Sequence, residues 1–338
     1  MSLPTLPTEL LLLIISHLQP RDLKHLIETS RKLHIILTPH LHHHALQSKN
    51  GLSALCWAAK KGHIPLVSLL LSWGLAVNDA SGPYRKTPLQ VAVTWNREEV
   101  VKLLLSHGAD LEARDIRHET ALHTAVEACY TQESIVRILL DAGADIKAKS
   151  RTGLTALHFA VESGDVGITQ LLLERGVEVN TVNLFGATAL YSAMQLRRPN
   201  TLVRLLLSFG ADPNRFHPGE TKTPLHLSVD RRDLTITRML LENGASIDAV
   251  DVDNGDTPIH RAIKNGDGRM FRLLLEFNPD MEIQDRSGKD ALAVARYRGE
   301  AEMVVELQTR LGLGVVELSL SEVDEVVEEI YDSLSSPS

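Results

Sequence analysis

The chain has 338 residues, of which 43% are apolar, 23% charged and 4% aromatic, and its net charge at pH 7 is −8. These fractions suit a soluble globular protein, and the negative charge gives no general electrostatic reason to bind nucleic acid. No apolar run approaches the roughly 20 residues that span a bilayer. We therefore expect no nucleic-acid partner and no membrane partner, and a location in the cytoplasm, the nucleus or both.

Residues 1–48 contain a predicted module of three short amphipathic helices. Thr8 is placed to cap the first helix, which Pro20 ends. Asp22 is an N-cap residue type at the start of the second, and the third stops before Pro39. Leucine and isoleucine recur at helical spacing in each, so each helix has one apolar face.

This module resembles an F-box. The family pattern Leu-Pro-x-Glu-Leu-Leu is present from Leu6 to Leu11, and Pro20, Asp22 and Leu23 continue it. The resemblance implies docking on a Skp-type adaptor, which links F-box proteins to a cullin–RING ubiquitin ligase. By the same resemblance, the adaptor-binding residues are Leu6, Pro7, Glu9, Leu10, Ile14, Leu18, Asp22 and Leu23.

A six-residue opening then recurs eight times, at spacings of 33 to 35 residues. The copies are SALCWA, TPLQVA, TALHTA, TALHFA, TALYSA, TPLHLS, TPIHRA and DALAVA, which start at residues 53, 87, 120, 155, 188, 223, 257 and 290. After the fourth opening, Ile168, Leu171 and Leu172 form a second apolar stripe at helical spacing, and Gly176 is placed to end that helix. Each unit therefore predicts two helices separated by a turn.

Residues 49–312 resemble the ankyrin-repeat family, whose repeats have a period near 33 and open with T-P-L-H-x-A. The resemblance implies an all-α solenoid of about eight helix-turn-helix repeats with β-hairpin tips. In this family the opening histidine forms hydrogen bonds along the stack, a role that falls here on His123, His158, His226 and His260. Residues 1–48 therefore have a second interpretation, in which their helices only cap the end of the first ankyrin repeat.

The predicted binding surface consists of the hairpin tips and the solvent edge of each first helix. Aromatic and arginine side chains are typical interface anchors. The candidates on this surface are Tyr84, Trp95, Arg117, Arg151, Leu184, Phe185, Leu196 and Tyr297. Leu184 and Phe185 have an alternative role, in which they staple adjacent hairpins together.

Residues 313–338 form an acidic tail with a possible short helix, which either folds back on the last repeat or presents itself to a partner.

Motifs for catalysis are missing from the sequence. It has no phosphate-binding loop and no nucleophile elbow, and His118-Glu119…His123 is one residue too long for a zinc-protease helix. We expect no enzyme activity, no cofactor and no metal site. Two functions remain open: the substrate receptor of a Skp–cullin–F-box ubiquitin ligase, and an ankyrin scaffold or adaptor protein unrelated to ubiquitin transfer.

Overall fold

The structure, a computed structural model, describes residues 53–72, 74–127, 133–215, 217 and 221–313. These residues fall into two compact units, divided between residues 219 and 220. The F-box-like residues 1–48 and nearly all of the acidic tail lie outside the described residues.

Unit 1 contains five helix pairs among its described residues. They are α1 (Ala54–Lys61) and α2 (Ile64–Ser72), α3 (Pro88–Thr94) and α4 (Glu98–Ser106), α5 (Ala121–Glu127) and α6 (Glu133–Asp141), α7 (Ala156–Glu162) and α8 (Val166–Glu174), and α9 (Ala189–Met194) and α10 (Asn200–Ser208).

Unit 2 contains three further pairs among its described residues. They are α11 (Pro224–Asp230) and α12 (Leu234–Glu242), α13 (Pro258–Lys264) and α14 (Gly268–Leu275), and α15 (Ala291–Arg298) and α16 (Ala301–Arg310). The all-helical, repeated-pair fold predicted from the openings is confirmed. No helix in the described part of the chain is long and apolar enough to cross a bilayer.

The opening residue starts the first helix of a repeat by capping it. Thr87 Oγ1 accepts a hydrogen bond from the N–H of Gln90, which satisfies a backbone donor that the helix itself cannot pair. Pro88 occupies the first turn, where its missing N–H is harmless. Glycine then ends the repeat in the left-handed region, as at Gly176 with φ of 78°.

The core lies between the two layers of helices. First helices pack against first helices along each unit. One leucine of each second-helix run has no exposed surface in six of the repeats; these residues are Leu104, Leu139, Leu172, Leu206, Leu240 and Leu274. Burial of one such side chain stabilises the fold by about 1.5–3 kcal/mol.

The opening histidines tie one repeat to the next. His158 Nδ1 accepts from the N–H of Thr155 at 3.2 Å, and its Nε2 lies 3.2 Å from the carbonyl of Ala187 in the following hairpin. Burial lowers the pKa of His158, so the ring is neutral and donates from Nε2. His123 and His226 reach the carbonyls of Leu154 and Asp256 in the same way.

His260 departs from this pattern. Its Nδ1 accepts from the N–H of Thr257, but its Nε2 has no partner in hydrogen-bonding geometry among the described residues. The carbonyl of Lys289 in the next hairpin still raises the pKa of His260, as the smallest of the influences on it, so this contact is weaker than those of the other three histidines. The expected link along the stack is thus confirmed for three of the four histidines and is weaker at the fourth.

The hairpin tips are tight turns stacked on one another. The N–H of Ser150 donates to the carbonyl of Leu154 at 2.9 Å and closes one tip, and the N–H of Leu184 donates to the carbonyl of Thr152 at 2.9 Å and joins two tips. The described residues contain isolated bridges at Ser81–Lys86 and Val182–Thr188. The arms are too short to extend these bridges into strands.

A candidate protein-binding surface

Large apolar side chains lie exposed at the tips and helix edges of unit 1. Tyr84 and Trp95 are 57% and 47% exposed, and Leu184 and Phe185 are 74% and 66% exposed. The hydrogen bond from Leu184 to the neighbouring hairpin is made by its backbone. The side chains of Leu184 and Phe185 are therefore largely free to meet another molecule.

Tyr84 and Trp95 line one groove, with a cavity volume of about 290 Å³, together with Pro83. Trp95 stands at the C-cap of α3, where the chain leaves the helix, and this position turns the indole away from the core. Lys60 and Lys86 also line the groove. The groove can therefore accept an apolar side chain whose neighbour carries a hydrogen-bond acceptor.

Two ammonium groups stand at this groove. Lys60 Nζ lies 4.4 Å from the centroid of the Trp95 ring, a cation–π contact. Lys86 Nζ donates to Thr94 Oγ1 at 3.2 Å. Burial is the largest influence on the pKa of Lys86 and lowers it, although carboxylates of the next repeat act in the opposite direction.

Arg117, a predicted partner-binding residue, is already engaged within the chain. Its guanidinium pairs with Glu127 through both terminal nitrogens, at 2.8 and 2.5 Å, and one nitrogen also lies 2.7 Å from Glu119 Oε2. The Glu119 side chain is buried. Burial, aided by the negative charge of Glu127, raises the pKa of Glu119 to about 7.

The Glu119→Gln substitution should make the protein more stable above pH 7. The folded pKa of about 7 exceeds the usual 4.5, so the folded protein holds this proton more tightly than the unfolded chain. The stability that the proton provides is fully present below pH 4.5 and is lost as the pH rises to 7, by at most roughly 3 kcal/mol. Urea unfolding of the variant should show a gain at pH 8 and a flatter pH dependence between 4.5 and 7.

The exposed Glu133→Gln substitution is the matched control. Among the described residues, Glu133 forms an exposed pair with Arg137, so its loss should change stability by less than about 1 kcal/mol. A Glu119→Gln variant that is less stable than wild type at pH 8 would mean that the pair with Arg117 outweighs the burial of the carboxylate.

The remaining candidates in unit 1 differ in exposure. Arg151 is exposed and, with Arg85 and Arg114, lines a separate cavity of about 370 Å³ at the tips. Leu196 is half-buried in the loop after α9. Leu196 therefore offers less surface to a partner than Leu184 or Phe185.

Tyr297, the candidate in unit 2, is 64% exposed, and Lys289 Nζ lies 3.6 Å from its ring centroid. Unit 2 also holds a network of charges that the sequence analysis missed. Lys264 Nζ lies 2.5 Å from Asp256 Oδ1 and 3.1 Å from Asp285 Oδ2. The hydrogen bonds that Asp285 accepts from Ser287, the backbone of Lys289 and Lys264 outweigh its burial and hold the pKa of Asp285 below its usual value.

These charges follow a rule of position in the repeat. The residue immediately before each opening residue faces the residue seven positions after that opening residue, and we term these two residues a rung pair. Rung pairs that contact each other are Lys222–Asp230 at 2.7 Å, Asp256–Lys264 at 2.5 Å and Lys289–Tyr297 at 3.6 Å, while Glu119 and Glu127 meet through Arg117. Aligning the repeats on their openings would have revealed this register in the sequence.

Within the residues that the structure describes, no group of three or more histidine, cysteine, aspartate or glutamate side chains is arranged to hold a metal ion.

The fold and the surface define a repeat protein that presents exposed binding faces. Family profiles described as ankyrin repeats match residues 22–115, 115–183, 175–251 and 229–275. The chain belongs to the ankyrin-repeat family and is a protein–protein interaction module. None of these matches is to an F-box, and the first begins inside the F-box-like segment, at residue 22.

Three relatives share short segments with this chain. A Caenorhabditis elegans transient receptor potential cation channel subfamily A member 1 homolog is 40% identical over 24% of this chain and 6% of its own length. Human palmitoyltransferase ZDHHC13 is 35% identical over 23% of this chain and 12% of its own. Saccharomyces cerevisiae protein HOS4 is 40% identical over 20% and 6%. The chain thus spans at most 12% of these proteins' lengths, too little to transfer their activities.

Proposed function

We propose that this chain is the substrate receptor of a Skp–cullin–F-box ubiquitin ligase. Its ankyrin face binds the target protein, and its N-terminal residues 6–39 dock the adaptor that leads to the cullin. The ligase would then act on the target by proximity, with catalysis supplied by other subunits.

The groove at Tyr84 and Trp95 is the observation that carries the target-binding part. The chain is only 4% aromatic, yet it exposes two large rings beside each other at one groove. A side chain that leaves half of its surface in water gains little from the fold, whereas aromatic side chains at grooves are frequent hot spots of protein interfaces. Leu184 and Phe185 extend the apolar surface in unit 1.

The adaptor-binding part is supported by the sequence alone. Leu6 and Pro7 precede the first predicted helix, so its apolar stripe does not need them. A Leu-Pro pair followed by an amphipathic helix suits a groove on an adaptor.

The ankyrin scaffold unrelated to ubiquitin transfer is the second candidate function, and one observation favours it. The ankyrin profile begins at residue 22, which includes Asp22 and Leu23 of the proposed adaptor site. A degenerate repeat at residues 22–52 would serve to cap the array.

Two double variants should separate the two proposed surfaces. Tyr84→Ala with Trp95→Ala should abolish recovery of target proteins, because truncating an anchor costs about 2 kcal/mol or more, roughly thirtyfold in affinity. Leu6→Ala with Pro7→Ala should abolish recovery of a purified Skp-type adaptor and leave target recovery intact. Affinity purification with mass spectrometry gives the first readout, and a pull-down at micromolar concentrations gives the second.

Each variant is the control for the other, and unchanged melting temperatures show that both are folded. If wild type fails to recover the adaptor, the ligase function is wrong and the scaffold function remains. If Tyr84→Ala with Trp95→Ala retains every target, the groove is not the binding surface.

A further inference from the structure

The rung pairs show which charges of unit 1 are satisfied within the chain. In the repeat that opens at Thr120, Glu119 and Glu127 share Arg117, so this repeat neutralises much of its own charge. The repeats on either side of it do not. The rung pair before it is Lys86–Thr94, and the one after it is Leu154–Glu162.

Lys86 occupies the same position in its repeat that Lys222 occupies in its own. Lys86, however, has no acidic residue as its rung partner. Lys222 meets Asp230 at 2.7 Å, whereas Lys86 meets the hydroxyl of Thr94 at 3.2 Å. No carboxylate among the described residues lies within ion-pair distance of Lys86, although Asp115, Glu119 and Glu127 of the next repeat are near enough to raise its pKa. The ammonium lines the groove beside Tyr84 and Trp95, so an added carboxylate can reach it from solvent.

Glu162 is the opposite case. Its rung partner is Leu154, so the carboxylate has no cation across from it and forms no ion pair within the described residues. Burial alone shifts the pKa of Glu162, upward, with no compensating positive neighbour. The residue is nevertheless exposed enough to meet another molecule.

The two unmatched charges therefore have opposite signs and lie two repeats apart, with a largely neutralised repeat between them. Packed helices lie about 8–10 Å apart, which places the charges roughly 16–20 Å from each other. An extended peptide rises about 3.3 Å per residue, so five or six residues cover that distance.

We infer that the target segment bound by unit 1 is an extended peptide with an acidic side chain on Lys86 and a basic side chain on Glu162, five or six residues apart. An apolar side chain next to the acidic one enters the groove between Tyr84 and Trp95. This inference rests on the proposed target binding and adds the chemistry of the target. It does not depend on the F-box.

A random 12-residue peptide library displayed on phage, panned against the full-length protein, tests the inference. The enriched peptides should share an acidic and a basic residue at that spacing. Thr94→Asp places a carboxylate across from Lys86, as Asp230 stands across from Lys222, and so gives Lys86 an ion-pair partner within the chain. Leu154→Lys likewise gives Glu162 an ion-pair partner within the chain. Each change should weaken a synthetic copy of an enriched peptide at least about tenfold, the loss expected for one charge-assisted hydrogen bond.

Neutral substitutions of similar size are the matched controls. Thr94→Asn and Leu154→Met should bind the peptide within about threefold of wild type. Replacing the acidic residue of the peptide by glutamine should remove the difference between Thr94→Asp and Thr94→Asn, as a double-mutant cycle requires. Circular dichroism melting checks that every variant is folded.

The outcomes separate this inference from the proposed function. Peptides that lose binding with Trp95→Ala but show no charge spacing and tolerate Thr94→Asp would overturn the inference and leave the groove as a binding site. A library that yields no binder, or binders indifferent to Trp95→Ala, would overturn the inference, whereas the proposed function fails only if Tyr84→Ala with Trp95→Ala retains every target.

Discussion

Replacing His158 by alanine should lower the free energy of unfolding by about 3–4 kcal/mol. The ring is buried and joins the N–H of Thr155 to the carbonyl of Ala187 in the next hairpin. Removing it leaves a buried donor and a buried acceptor unpaired, each at about 1–3 kcal/mol, and opens a cavity. Urea unfolding followed by circular dichroism measures the loss.

His158→Gln is the control that the chain itself suggests. Gln90 occupies the equivalent position two repeats earlier, where its Oε1 accepts from the N–H of Thr87 and its Nε2 donates to the carbonyls of Ala113 and Glu119, at 3.1 and 2.7 Å. The glutamine variant should therefore recover more than half of the stability that alanine loses. Equal losses for glutamine and alanine would show that ring packing, and not hydrogen bonding, is what matters.

Replacing Gly153 by alanine should cost about 3–4 kcal/mol and separate two hairpin tips. Gly153 has φ of 76°, and a Cβ at this position would lie 2.8 Å from the backbone nitrogen of Leu184. The left-handed conformation costs alanine about 1–2 kcal/mol. The collision adds to this, because it pushes away the backbone that donates to the carbonyl of Thr152. Hydrogen exchange at the Leu184 amide should speed up.

Gly164→Ala isolates the effect of the collision. Gly164 has φ of 75°, nearly the same as Gly153, but a Cβ there would meet nothing within 4 Å. Its cost should therefore be the left-handed strain alone, about 1–2 kcal/mol, with Leu184 exchange unchanged. Equal losses for the two glycines would mean that the hairpins can move apart freely.

The order of the helices was predictable because its determinants are local. Thr87 caps its helix through a residue three positions later, and Gly176 ends its helix by its own backbone preference. The buried leucines repeat at helical spacing, so the inner face can be read from one repeat at a time. The exposure of Tyr84, Trp95 and Phe185 also followed from their place in the repeat.

Whether each charged side chain at the surface is paired within the chain was not predictable from such local patterns. The sequence marks Arg117 as a candidate anchor, but the fold brings Glu127 and Glu119 against it and satisfies it within the chain. His260 carries the motif of His158, and yet its contact with the next hairpin is weaker than the second hydrogen bond of His158.

The sequence by itself determined the repeat, its two helices and the face that each repeat buries, because caps, glycines and apolar spacing act within a few residues. Only the tertiary structure decided which polar groups are satisfied and which are left for a partner. A hydrogen bond or ion pair depends on tenths of an ångström between side chains that belong to different turns or different repeats. Lys86 and Lys222 hold the same place in their repeats, and they differ because Thr94 stands across from one and Asp230 from the other.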